Sequence, residues 1–214
     1  MFRIATHYIY LYSPHIYTYP ADREISPLHV RMNIEKATYC ATVGVFDGVH
    51  RGHQQVIRCV KAQAAASGMQ SMVVTFDRNP LEVICPERAP KPLMSLSERV
   101  AKLHAAGIDR VEVLPFDNAF MQTTAYDFMR YVLYERLGVR CLITGYDNRF
   151  GRRNPEETFE TYAAYGREIG MEVMLGPQPE ECGLFDGRPV SSSLIRHLLD
   201  TGRRDEADAL MMLE

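Results

Sequence analysis

No excess of basic charge is present in these 214 residues: 24 Lys and Arg stand against 27 Asp and Glu, leaving −3 at pH 7. A protein that coats a phosphate backbone needs such an excess, so general nucleic-acid binding is excluded, although local basic patches are not. No CxxC occurs. The five cysteines, Cys40, Cys59, Cys85, Cys141 and Cys182, are odd in number and scattered, the pattern of a reduced, cytoplasmic protein rather than a disulfide scaffold. There is no uninterrupted apolar run or small-residue cleavage site near the start, which excludes a signal peptide or a membrane span there. Residues 1–20 are instead crowded with Tyr8, Tyr10, Tyr12, Tyr17 and Tyr19 and broken by Pro14 and Pro20. The alternation from Ile4 to Tyr12 suits an edge strand or a segment packed on the body, so residues 1–40 are set apart from a domain over 41–214. No linker, repeat or low-complexity run divides that domain.

What is present is an ordinary globular composition, 46% apolar and 24% charged, in a chain long enough for one sizeable core. Strand and helix patterns alternate. Strands are predicted near Val43–Phe46, Met69–Phe76, Arg110–Phe116, Arg140–Gly145 and Met171–Leu175. Helices are predicted near Gln54–Ser67, Ser95–Ala106, Tyr126–Leu137, Glu156–Ile169 and from Ser191 to about Asp200. This order implies an α/β fold, a Rossmann-like parallel sheet with helices on both faces.

The stretch Thr42-Val43-Gly44-Val45-Phe46-Asp47-Gly48-Val49-His50-Arg51-Gly52-His53 reads as strand, tight turn and helix start. Unpaired N–H groups and the positive end of the helix dipole favour an anion there, and Gly48 and Gly52 let it approach the main chain. His50 and His53, three apart, both face such an anion from a first helical turn. Their imidazole N–H groups suit phosphate oxygens on which charge grows as a leaving group departs. A zinc site lacks a third ligand nearby, and simple capping of a solvated helix end is the bland alternative.

Three further stretches carry chemistry. Phe76-Asp77-Arg78-Asn79-Pro80 ends a strand, where α/β proteins gather ligands, yet Asn79 before Pro80 also suits a plain turn. Tyr146-Asp147-Asn148-Arg149-Phe150-Gly151-Arg152-Arg153 combines a carboxylate, arginines and aromatics, fit for phosphates, a flat ring, and a metal or hydroxyl, or else for a solvated basic loop. Ser191-Ser192-Ser193 with Arg196 makes either a good helix cap or a phosphate clamp.

The segment GVFDGVHRGH, with TFDRNP, GYDNRFG and VSSSLIR in the same order, resembles the FAD synthetase branch of the nucleotidyltransferases, often joined to riboflavin kinase. The resemblance spans about residues 40–210. It implies a Rossmann-like nucleotidyltransferase fold and transfer of AMP from ATP to FMN, giving FAD and pyrophosphate. It also implies Mg²⁺, catalytic roles for His50, His53, Ser192 and Arg196, and ATP contacts from Val45, Phe46, Gly48, His50, Gly52, His53, Ser191, Ser192, Ser193 and Arg196. FMN would meet Asn79, Asp147, Arg149 and Phe150, with Asp147 on the metal. The family usually has His where Asn79 stands, often Phe at Asn148, and a basic residue at Leu194. The bifunctional members continue into a β-barrel kinase domain, which 214 residues ending soon after Leu210 are expected to lack.

An FMN phosphate, largely ionised because its second pKa is near about 6, needs no general base. Asp47 is accordingly read as a turn and cap residue. Two alternatives remain at this level: an HxGH nucleotidyltransferase with another acceptor, such as pantetheine phosphate, nicotinate mononucleotide or choline phosphate, and a non-catalytic nucleotide-binding domain.

Overall fold

The computed structural model describes residues 37–145, 150–152, 154, 156–178 and 184–213. Its centre is β1 (Tyr39–Val43), every residue of which is buried. It pairs in parallel with β2 (Gln70–Phe76) on one side and β4 (Val139–Thr144) on the other. The outer strands are β3 (Arg110–Leu114) and β5 (Glu172–Leu175), giving the order β3-β2-β1-β4-β5 with every pairing parallel. A strand covered on both faces reads as a continuous apolar run, which is why these segments are rich in Val, Ile, Leu and Cys.

Alternate residues of each strand feed two different cores. On one face Cys40, Val73, Cys141 and Ile143 pack with Ile57, Val60 and Ala64 of α1 (Arg51–Ala66) and Leu103 of α3 (Leu96–Ala105). On the other, Tyr39, Ala41, Val43, Met72, Val74 and Phe76 pack with Phe128, Met129 and Leu133 and with Tyr162 of α6 (Phe159–Ile169). Phe128–Arg136, winding wider than an α-helix, continues directly from α5 (Ala125–Asp127). The Rossmann-like expectation of helices on both faces is thus met. A third, smaller cluster joins α7 (Ser192–Asp200) to α8 (Arg204–Met211) through Leu194, Ile195, Leu198, Ala207 and Leu210.

Several boundaries differ from expectation. β1 starts at Tyr39, inside the segment set apart as 1–40, and stops at Val43. Val45 and Phe46 are not strand, because Phe46 takes a left-handed φ of 54° and turns the chain out of the sheet. α1 starts at Arg51, a turn earlier than its apolar periodicity suggested. Short helices α2 (Leu81–Ile84) and α4 (Asn118–Met121) were not foreseen, nor was α8. The predicted strand near Ile4–Tyr12 lies outside the described residues. Among the described residues, no helix is long and apolar enough to cross a membrane.

Candidate active site

The strand order reverses between β1 and β4, and a crevice at such a switch point, beyond the carboxyl ends of the strands, is where α/β sheets bind ligands. The Gly44–His53 stretch leaves β1 on that edge, and the loop after β4 begins on it. Phe46 and Val49 both adopt left-handed φ values, 54° and 44°, and Gly48 stands between them at 88°. A β-branched residue in that region is a true outlier, costing about 1–3 kcal/mol. The turn survives because its neighbours over-determine it. The Val45 carbonyl accepts Thr75 Oγ1 at 3.0 Å and Arg99 Nη1 at 2.8 Å. The Val49 carbonyl accepts Gln54 Nε2 at 2.9 Å.

His50 is the N-cap residue of α1, but its side chain makes no capping bond. Its ring stacks on His53, with centroids 3.7 Å apart and planes at 22°, and Phe46 leans on His53 at 4.9 Å. Both Nδ1 atoms are shut away from solvent and bonded to nothing. The tautomer that avoids burying an unpaired N–H puts each proton on Nε2. Burial, then the nearby Arg196 and Lys102 charges, pull the His50 pKa down to about 4. Burial, His50 and Arg99 hold His53 well below the usual imidazole range. At neutral pH both rings are therefore uncharged donors.

The C-terminal motif docks onto this turn. Ser191 caps α7 by accepting from Leu194 N at 3.2 Å, and Ser192 Oγ donates to the Asp47 carbonyl at 2.8 Å. Arg196 forms a partly buried ion pair with the Asp47 carboxylate and donates Nε to the Lys91 carbonyl at 2.8 Å. Asp47 also takes the Leu93 amide on both oxygens, at 3.0 and 3.1 Å. Gly52 permits the closeness: a Cβ there would sit 2.8 Å from the Val190 carbonyl. Asp47 is thus more than a turn residue, because it joins three chain segments, and the Lys91–Leu93 segment carried no signal in the sequence.

The structure brings together Val45, Phe46, Gly48, His50, Gly52, His53, Ser192 and Arg196, while Ser193 of the same run is exposed. Beside them lies a cavity of about 380 Å³ lined by Val45, Asp47, Asp77, Arg78, Asn79 and Arg99, among others. Asn79 therefore reaches the cavity wall, but its side-chain oxygen also accepts Leu81 N at 3.0 Å in the turn before α2, the local role its turn signal allowed. Phe150, expected beside FMN, is instead a core residue. It is buried and stacks on Tyr162 at 4.5 Å, because an aromatic following the β4 loop is drawn under α6. Asp147 and Arg149 lie outside the described residues. Among the described residues no group of three metal-ligating side chains forms, and Asp147, expected on the metal, is not among them. Arg99, which sequence reasoning passed over, is the unexpected member; a basic residue on an otherwise ordinary helix gave no signal.

Comparison with known proteins agrees with this geometry. A family model described as FAD synthetase matches residues 33–194. The chain is 34% identical over 171 residues to a bifunctional riboflavin kinase/FMN adenylyltransferase of Pseudomonas fluorescens, covering 80% of this chain and 53% of that protein. For the Escherichia coli K12 protein of the same description, identity is 31% over 170 residues, covering 79% and 53%. The chain spans about half the length of the curated relatives it matches. A crystal structure of a macrolide-efflux protein from Streptococcus pneumoniae superposes with a TM-score of 0.68 at 24% identity, covering 82% of this chain and 56% of that one, a likeness of fold alone. The sheet order, the histidine turn with its α7 clamp, and these matches agree: the chain belongs to the FAD synthetase family.

Proposed function

We propose that the chain is an FMN adenylyltransferase, transferring AMP from ATP to FMN. The observation that carries this reading is the neutral, stacked His50–His53 pair at the start of α1, tied through Asp47 to Ser192 and Arg196. An FMN phosphate oxygen forms a bond to the α-phosphorus of ATP while the bond from that phosphorus to the bridging oxygen breaks and pyrophosphate leaves. No proton has to move, since the attacking monoester is already ionised. The rate then depends on holding two anions in line and on donors aimed at developing charge. The imidazole N–H groups, the first turn of α1 and the Arg196 guanidinium are those donors. Asn79 at the cavity, with Asp147 and Arg149, serves the acceptor side. Mg²⁺, when bound, would offset triphosphate charge, with Asp147 as the carboxylate that would hold it. Cys40, Cys85 and Cys141 are free thiols, which suits work in a reducing cytoplasm. A riboflavin kinase domain, as in the bifunctional relatives, is the natural supplier of FMN.

The test is chromatographic detection of FAD after mixing purified chain with ATP, Mg²⁺ and FMN, with riboflavin and other phosphorylated acceptors in parallel. FAD from FMN, and none from riboflavin, which lacks the phosphate nucleophile, is expected. Adenylylation of a different phosphate ester instead of FMN would reassign the acceptor.

A further inference from the structure

Arg99 is 6% exposed, yet among the described residues no carboxylate lies at ion-pair distance from it. Three acids share its cavity and each has other partners: Asp47 with Arg196 and Leu93 N, Asp77 with Arg78 and Phe116 N, and Glu82 with Asn79 N. Its guanidinium rests on two main-chain carbonyls, Val45 just after β1 and Phe76 at the end of β2, while Nε has no partner at all. Burying a cation in this way is expensive, and Arg, unlike Lys, stays charged when buried. The Val45 carbonyl already has Thr75 Oγ1, and an apolar side chain of similar volume is often as stable as a buried ion. What Arg99 does border is the 380 Å³ cavity beside the histidine turn.

We propose that Arg99 is a positioning residue of the transfer site: it pins the carboxyl ends of β1 and β2 together and holds a fixed positive charge in the cavity wall against which phosphate anions bind. This rests on the adenylyltransferase reading for its substrates, though not for its anion. Val45 precedes Phe46 and Asp47, so its carbonyl sets where the histidine turn begins. Water is largely excluded around Arg99, so its field is screened less than that of an exposed arginine. Arg78, at the cavity rim, is by contrast half-exposed and neutralised by Asp77.

The experiment compares Arg99→Lys, Arg99→Gln, Arg99→Met and the unaltered chain by thermal melting, by pyrophosphate binding in calorimetry, and by steady-state FAD formation. Lysine keeps charge and donors; glutamine keeps a donor without the charge. Expected are melting temperatures within a few degrees for both, pyrophosphate dissociation constants within about threefold for Arg99→Lys, and about tenfold or more weaker binding for Arg99→Gln. The loss should appear in the KM for FMN more than in kcat, and should shrink as salt is raised. Equal pyrophosphate binding by Arg99→Gln and the unaltered chain would overturn the proposal. Equal losses in both variants would do the same, as would an Arg99→Gln and an Arg99→Met that both fail to fold, since the charge would then serve the fold. If the unaltered chain makes no FAD, the adenylyltransferase reading fails, and pyrophosphate binding alone still decides the role of Arg99.

Discussion

Two neutral imidazoles stacked at 3.7 Å, each with a buried and unpartnered Nδ1, are poor caps for a helix and, through Nε2, good donors to an anion. Removing one such donor from a site that stabilises developing charge costs about 10² to 10³ in rate. His53→Ala is therefore expected to lower kcat for FAD formation by that order while the far-UV circular dichroism stays unchanged; unaltered kcat would remove His53 from catalysis. Neutrality also makes the fold sensitive to acid. His50 has a folded-state pKa of about 4 against 6.5 when unfolded, so the unfolded chain binds more protons between those values. Stability then rises with pH across that window and is lost as pH falls from about 6.5 toward 4, by roughly 3 kcal/mol at the limit. Denaturant midpoints measured at pH 7 and pH 5 should differ, and His50→Gln should reduce the difference. The residue types were legible in the sequence, as was their place at a helix start. The stacking was not, because it depends on left-handed φ angles at Phe46 and Val49 that apolar residues do not advertise.

The two elements that make the clamp, the β1–α1 turn and the start of α7, meet through a carboxylate that sequence reasoning took for turn chemistry. Asp47 could be read as a turn residue because Asp-Gly is a strong turn signal; its partners, Leu93 N and Arg196, lie 46 and 149 positions away. Arg196 is shared between structure and ligand. Arg196→Ala is expected to weaken ATP binding about tenfold in calorimetry and to lower the melting temperature, since the Asp47 carboxylate would stay buried without its cation. Weaker melting with unchanged ATP affinity would confine Arg196 to holding the clamp shut. Strand and helix types were read correctly from period and punctuation. The stacking of Phe150 on Tyr162 was not legible, because an aromatic in a basic loop looks like a ligand platform until the helix above it is known.

Across the whole molecule, the order β3-β2-β1-β4-β5 puts the carboxyl ends of β1, β2 and β4 on one edge, so that motifs far apart in sequence face one crevice. The alternation of elements foretold that edge. It did not foretell Arg99, whose helix could face either way until its partners at Val45 and Phe76 are seen. The same topology has a temporal side. A ribosome adds about 5–20 residues per second, so after Asp47 is made its partner Arg196, 149 residues later, follows only some 7 to 30 seconds on. β1, β2 and their helices can pair during that interval, leaving a buried carboxylate waiting for its cation. Nascent chains thus pass through a stage in which β1 and β2 are made while the Asp47–Arg196 ion pair is not.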